Sequence, residues 1–151
     1  MSGERILICY DGSESAERSF DAAAGVLAGR DAIVVDIGPV LTSAQSYAAV
    51  TPGIDIALLE EANLDAALER AEQGAERARQ AGFDAEARGD IAAPAWQGIV
   101  DLANEVDAAV IVIGSRGLTG VRERLEGSVS HQVAAHSGRP VLIVPPRDGD
   151  G

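Results

Sequence analysis

An open α/β sheet, mostly parallel and with helices on both faces, is the fold this sequence predicts. Three observations point to it. Short apolar runs of strand length alternate with stretches of helical period, strand–helix four times over and then a final strand. The strand runs are continuously apolar rather than alternating, the mark of strands buried on both faces. The run from Ala108 to Ile113 leads directly into a glycine-rich stretch, and a new apolar pattern starts at Val129. A glycine turn feeding a helix N-terminus offers unpaired backbone N–H groups and a partial positive charge, which suits an anion.

Taken in order, Arg5 to Tyr10 reads as the first strand, with Ile6-Leu7-Ile8 at its centre, and it ends at the turn Asp11-Gly12-Ser13. Ser13 or Ser15 can cap the next helix. Ala16, Phe20, Ala23 and Leu27 recur at helical spacing, and Gly29 stops that helix. Ala32 to Ile37 is a second strand, ended by Gly38-Pro39. No period holds from Val40 to Gly53, the expected flexible segment. A long helix follows over about residues 57–81, with Leu64, Leu68, Ala71, Ala75 and Ala78 as its buried stripe and Glu, Arg and Gln on its solvated face.

Gly82 ends this helix, and Phe83 to Arg88 predicts a short, weak third strand. Pro94 suits the first turn of the next helix, whose buried face is Trp96, Ile99, Val100 and Ala103. After the fourth strand and the glycine stretch, a short helix runs from about Ser128 to His136. Gly138 caps it, and Pro140 opens a last strand, Val141 to Val144. Residues 1–146 read as a single domain and 147–151 as a frayed tail.

Composition narrows the function. Hydrophobic residues make up 46% of the chain but aromatics only 3%, so the core must be Ala, Val, Ile and Leu. A formal charge of −12 argues against general nucleic-acid binding, which needs a basic surface to displace counterions. Every cation is arginine; with no lysine, a Walker A site is excluded. No run has the length of a membrane span and the N-terminus lacks a signal pattern, so the expectation is a cytoplasmic chain with no membrane partner. Cys9 is the only cysteine, and its place in a strand run suits a small buried hydrophobe. His131 and His136 lie five apart on the last helix, too far round to share a face well, so no metal site is expected from them.

The glycine stretch carries the chemistry. Its spacing is Gly114-x2-Gly117-x9-Gly127-Ser128, two walls on which a phosphate could rest without a Cβ in the way. This spacing closely resembles the signature of the universal stress protein family, in its ATP-binding subgroup, and the resemblance covers nearly the whole chain. It implies a five-stranded Rossmann-like sheet, like that of the adenine nucleotide alpha hydrolases, in the order 3-2-1-4-5. Ligands of such sheets sit where the order reverses, outside the carboxyl ends of strands one and four. Asp11 and Gly114 occupy those two ends.

By the same resemblance, Asp11 is the acidic residue that lies against the nucleoside. A carboxylate there can accept hydrogen bonds from ribose hydroxyls or the adenine amine. It can equally hold Gly12 and Ser13 in an Asx turn. The backbone at Cys9 and Tyr10 matches further nucleoside contacts, and Ile37 the apolar residue that meets adenine. Gly114 and Gly117 match the first phosphate wall; Gly127, Ser128, Val129 and Ser130 match the second. Arg116 lies within the first wall and can add a charge-assisted contact or face solvent. Arg122 and Arg124 alternate with Glu123 and Glu126, and read as local ion pairs.

The implied ligand is ATP, with Mg2+ or Mn2+ able to accompany its phosphates, although the sequence contains no dedicated ligand set for a cation. No group is placed to activate water at a γ-phosphate, so at most slow hydrolysis is expected. The functional reading is a nucleotide-dependent stress-response protein. The alternatives are a family-like interaction protein whose glycines serve loop geometry alone and, further off, an ATP-hydrolysing enzyme of related fold or a flavodoxin-like protein. The phosphate loops of these last two would follow strand one, where none is present. The last strand, apolar and uncharged between Pro140 and Pro145, should lie at a sheet edge and pair with a second copy as a homodimer.

Overall fold

The computed structural model of the chain describes residues 5–27, 29–39, 53, 55–115 and 129–145. Its elements are β1 (Ile6–Cys9), α1 (Glu14–Leu27), β2 (Asp31–Gly38), α2 (Ile56–Gln80), β3 (Asp84–Ile91), α3 (Ala95–Glu105), β4 (Val110–Gly114), α4 (Val129–His136) and β5 (Val141–Val144). All four strand pairings are parallel, and the sheet order is 3-2-1-4-5, as the resemblance implied.

Successive side chains of a strand point to opposite faces, and two cores follow. Ile6, Ile8, Val34 and Val112 pack with Phe20 and Ala23 of α1 and Ala75 and Ala78 of α2. Leu7, Ile33, Val35 and Ile111 pack with Ile99, Leu102 and Ala103 of α3 and Val133 of α4. Helices α1 and α2 therefore cover one face, and α3 and α4 the other.

The ends of the elements follow from their local chemistry. Asp11 Oδ1 accepts from the Ser13 N–H at 2.9 Å, and Ser13 Oγ accepts from the Ala16 N–H at 3.2 Å, so Ser13 rather than Ser15 caps α1. Glu14 and Glu17 in the first turn suit the positive end of that helix. At the far end of α2, Gly82 (φ 104°) donates to Arg79 O and Phe83 N–H donates to Ala78 O at 3.0 Å. This crossed pair is a Schellman stop, and it needs a residue tolerant of positive φ. Phe83 is then buried in the same core as Ala78.

Three expectations need correction. β3 runs to Ile91 rather than Arg88 and pairs with β2 along its full length. Gly89 and Asp90 are poor strand formers, which hid its second half in the sequence. The buried stripe of α2 is Ala67, Ala71, Gly74, Ala75 and Ala78, while Leu64 and Leu68 stay 38% and 44% exposed. The reason is close approach: a Cβ on Gly89 would lie 2.5 Å from the Leu68 backbone nitrogen, so only small residues fit between α2 and the sheet. Pro94 stands just before α3 as its N-cap, after a cis peptide bond from Ala93, and not within the first turn.

Trp96 is half-buried against the second core, and its ring stacks on His136 with centroids 4.7 Å apart and planes inclined by 21°. His136 is also joined to Gln132 Oε1 at 3.1 Å. No helix among the described residues is long and apolar enough to cross a membrane. The segments 40–52 and 146–151 lie outside the described residues, as does the proposed tail.

Candidate functional site

At the carboxyl edge of the sheet, β1 and β4 lie side by side while the helices after them leave to opposite faces. This is the reversal point of the strand order, where open α/β sheets place their ligand crevice. The register brings Cys9, Tyr10, Asp11, Ile37 and Gly114 to this edge: Cys9 stands opposite Val35, and Ile8 opposite Val112. Val129 opens α4 and packs against the core that holds Cys9, Ile37 and Ile113. Ser130 is buried in the first turn of that helix. Arg116, Gly117, Gly127 and Ser128 lie outside the described residues.

The side chains at this edge are not all turned toward the crevice. The Cys9 thiol is buried, and burial first, then the nearby Asp11 charge, push its pKa far up; it is an inert packing group. The Tyr10 ring is buried against Phe20, with ring centroids 5.5 Å apart, and lies where a Cβ on Gly74 would come within 2.7 Å. Burial raises its phenol, and Glu17 adds to the rise. Only the backbone of Cys9 and Tyr10 is left for a ligand. Ile37 is buried as well, beside Gly98 and Ala92.

Asp11 is half-buried, with Oδ1 engaged by the Ser13 N–H, so the Asx turn exists, and among the described residues no hydrogen bond occupies its other carboxylate oxygen. Gly114 has a reason of its own to lack a side chain, since a Cβ there would lie 2.7 Å from Ser15 Oγ. That hydroxyl is buried and has no hydrogen-bond partner among the described residues.

The sequence reading missed Asp36 and Arg70. Asp36 interrupts the apolar run of β2 just before Ile37, is 2% exposed and accepts from Arg70 Nε of α2. Burial raises its carboxyl above the usual range, Arg70 pulls it back down, and the Asp11 charge adds to the rise. A carboxylate inside an otherwise apolar strand run was the available signal, for it must find a partner when the strand is buried. No group of three or more His, Cys, Asp or Glu could hold a metal among the described residues.

An open parallel sheet in the order 3-2-1-4-5 with helices on both faces places the chain among the Rossmann-like α/β proteins. Within that class it belongs to the universal stress protein family, whose sequence pattern matches residues 3–145. It is 32% identical to the universal stress protein YxiE of Bacillus subtilis (strain 168), over 93% of this chain and 97% of the relative. A universal stress protein solved in complex with cAMP shares 28% identity and a TM-score of 0.62, covering 96% of this chain and 98% of that one. A universal stress protein from Archaeoglobus fulgidus solved with dAMP shares 26% identity and a TM-score of 0.61, over 95% and 99% of the two chains.

Proposed function

We propose that this chain is a nucleotide-dependent regulatory protein of the cytoplasm that binds ATP at the β1–β4 crevice. One observation carries the reading: the complete glycine signature, Gly114, Gly117, Gly127 and Ser128, follows a buried strand and precedes α4. Relatives solved with cAMP and dAMP support an adenine nucleotide in the same fold. The adenosine end would meet the free oxygen of Asp11, the backbone of Cys9 and Tyr10, and the strand end at Ile37. The phosphate end would rest on backbone N–H groups from Gly127 to Ser130, with the two serine hydroxyls and Arg116 as further donors. A Mg2+ or Mn2+ ion would travel with the phosphates rather than sit in a site of its own. Residues 1–146 form the functional unit, and two copies pair through the Val141–Val144 edge.

The packing of Gly114 against Ser15 favours a second reading, in which the glycines serve loop geometry and no nucleotide binds. Calorimetry separates the two. The stripped native protein should bind ATP, and Gly127→Val should weaken binding about a hundredfold or more while circular dichroism stays unchanged. Failure of the native protein to bind ATP, ADP or AMP, or full affinity in folded Gly127→Val, overturns the proposed site.

A further inference from the structure

Helix α2 grips the end of β2 and the residue after it at three points. Arg70 Nε donates to Asp36, Asn63 Nδ2 donates to Pro39 O at 3.2 Å, and Gly38 lies against Asn63 and Ala67 so closely that a Cβ would come within 3.2 Å of Asn63 O. The stretch so held, residues 36–39, contains Ile37 and lies beside the end of β1. Cys9 pairs with Val35 and the Tyr10 N–H donates to Val35 O at 2.9 Å, so the grip on residues 36–39 lies beside the chain that leads into Asp11, the candidate nucleoside carboxylate.

Stability alone does not account for a carboxylate in this place. Among the described residues no other charged side chain is as buried as Asp36. Its partner Arg70 is 37% exposed, so the pair straddles core and solvent at the carboxyl edge. Apolar residues of similar volume commonly replace such pairs at no cost to the fold. What the pair supplies is direction: a charge-assisted contact between one helix and one strand position fixes where the strand end lies.

We propose that Arg70, acting through Asp36, is a positioning residue that sets the nucleoside end of the site against Asp11. The inference rests on the nucleotide reading above. The pair touches no ligand itself. Its loss lets residues 36–39 shift relative to Asp11, weakening whatever contacts both, and leaves the phosphate walls unaltered.

The test uses the full chain with adenosine, ATP and tripolyphosphate as probes in calorimetry. Arg70→Met should weaken adenosine and ATP by one common factor, roughly two- to thirtyfold as for coupled positions that share a network, with tripolyphosphate unchanged. Because Arg70→Met leaves a buried charge unpaired, an Asp36→Asn/Arg70→Met double variant is measured beside it. It should regain native thermal stability yet keep the adenosine defect. Equal losses for all three probes, or recovery of adenosine affinity together with stability, would reduce the pair to a structural role. If the native protein binds adenosine and the folded variants bind it equally well, the positioning role fails and the nucleotide reading stands. If the native protein binds none of the probes, both fall.

Discussion

Beneath α2 the sheet meets its helix almost backbone to backbone, whereas beneath α3 and α4 it meets branched aliphatic side chains. On the first face Ala67, Ala71, Gly74 and Ala75 lie over strands carrying Ala32, Val34 and Ala85, and Gly89 admits the Leu68 backbone itself. On the second, Ile33, Val35, Ile111 and Ile113 interlock with Ile99, Leu102 and Val133. The helices differ in the same sense: α2 has 25 residues, α3 has 11 and α4 only 8. Backbone contacts leave no room for adjustment, while aliphatic side chains can repack. The Asp36–Arg70 pair thus stands on the unyielding face, and α4, the helix proposed to receive the phosphates, belongs to the adaptable one.

The largest expected effect on the fold comes from breaking the charge pair on the tight face. Removing one partner of a fully buried pair costs about 3–5 kcal/mol. Arg70 is 37% exposed, so Arg70→Met should cost about 3 kcal/mol at neutral pH. The pH dependence has a definite sign. Burial holds the Asp36 carboxyl above its ordinary range, so its contribution is present in acid and lost as pH rises through the folded value. Without Arg70 that loss moves to higher pH, and the deficit should shrink on acidification. Urea unfolding at pH 7.5 and 5.5 measures both; a deficit that grows in acid would contradict the burial argument.

Gly89→Ala sharpens the comparison next. Its Cβ would meet Leu68 N at 2.5 Å and Leu68 Cα at 2.7 Å, atoms that move only if α2 moves, and overpacking of this kind costs about 1–3 kcal/mol. A loss of about 2 kcal/mol in chemical unfolding is expected, and a neutral result would show that α2 can lift from the sheet. The smallest effect on the monomer belongs to the open edge beside the adaptable face. Ile143 is 40% exposed on β5, so Ile143→Lys should change monomer stability by less than about 0.5 kcal/mol. In light scattering it should still turn the proposed dimer into a species near 15.5 kDa. A dimer that survives the change must use another surface.

The strands were legible because buried parallel strands need continuous apolar runs, and Ile6–Cys9, Val110–Gly114 and Val141–Val144 have them. The end of β3 was not, since Gly89 and Asp90 are held there by pairing with Asp36 and Ile37 of β2 rather than by preference. Helical spacing found Ala71, Ala75 and Ala78 of the α2 stripe but took Leu64 and Leu68 in place of Ala67 and Gly74, because the depth of a stripe depends on what lies opposite. At the site, Asp11 and Gly114 were readable from turn and strand-end chemistry. The link between Asp36 and Arg70 was not, as its partners are 34 residues apart and meet only once β2 and α2 pack. Arg116, Gly117, Gly127 and Ser128, the centre of the glycine signature, stand on spacing alone.

Trp96 is the chain's single tryptophan, and its indole ring lies flat against the imidazole at the end of α4. Indole emission responds to whatever touches the ring, and an imidazole that gains a proton becomes an efficient quencher. The protein consequently carries a built-in optical gauge, with one chromophore on α3 and its modulator on the helix that opens at Val129. A displacement of α4 that changes this ring contact should alter the tryptophan emission without any label. Rapid-mixing fluorimetry can therefore follow the packing of α4 against α3 in real time, and the signal comes from one known place in the fold.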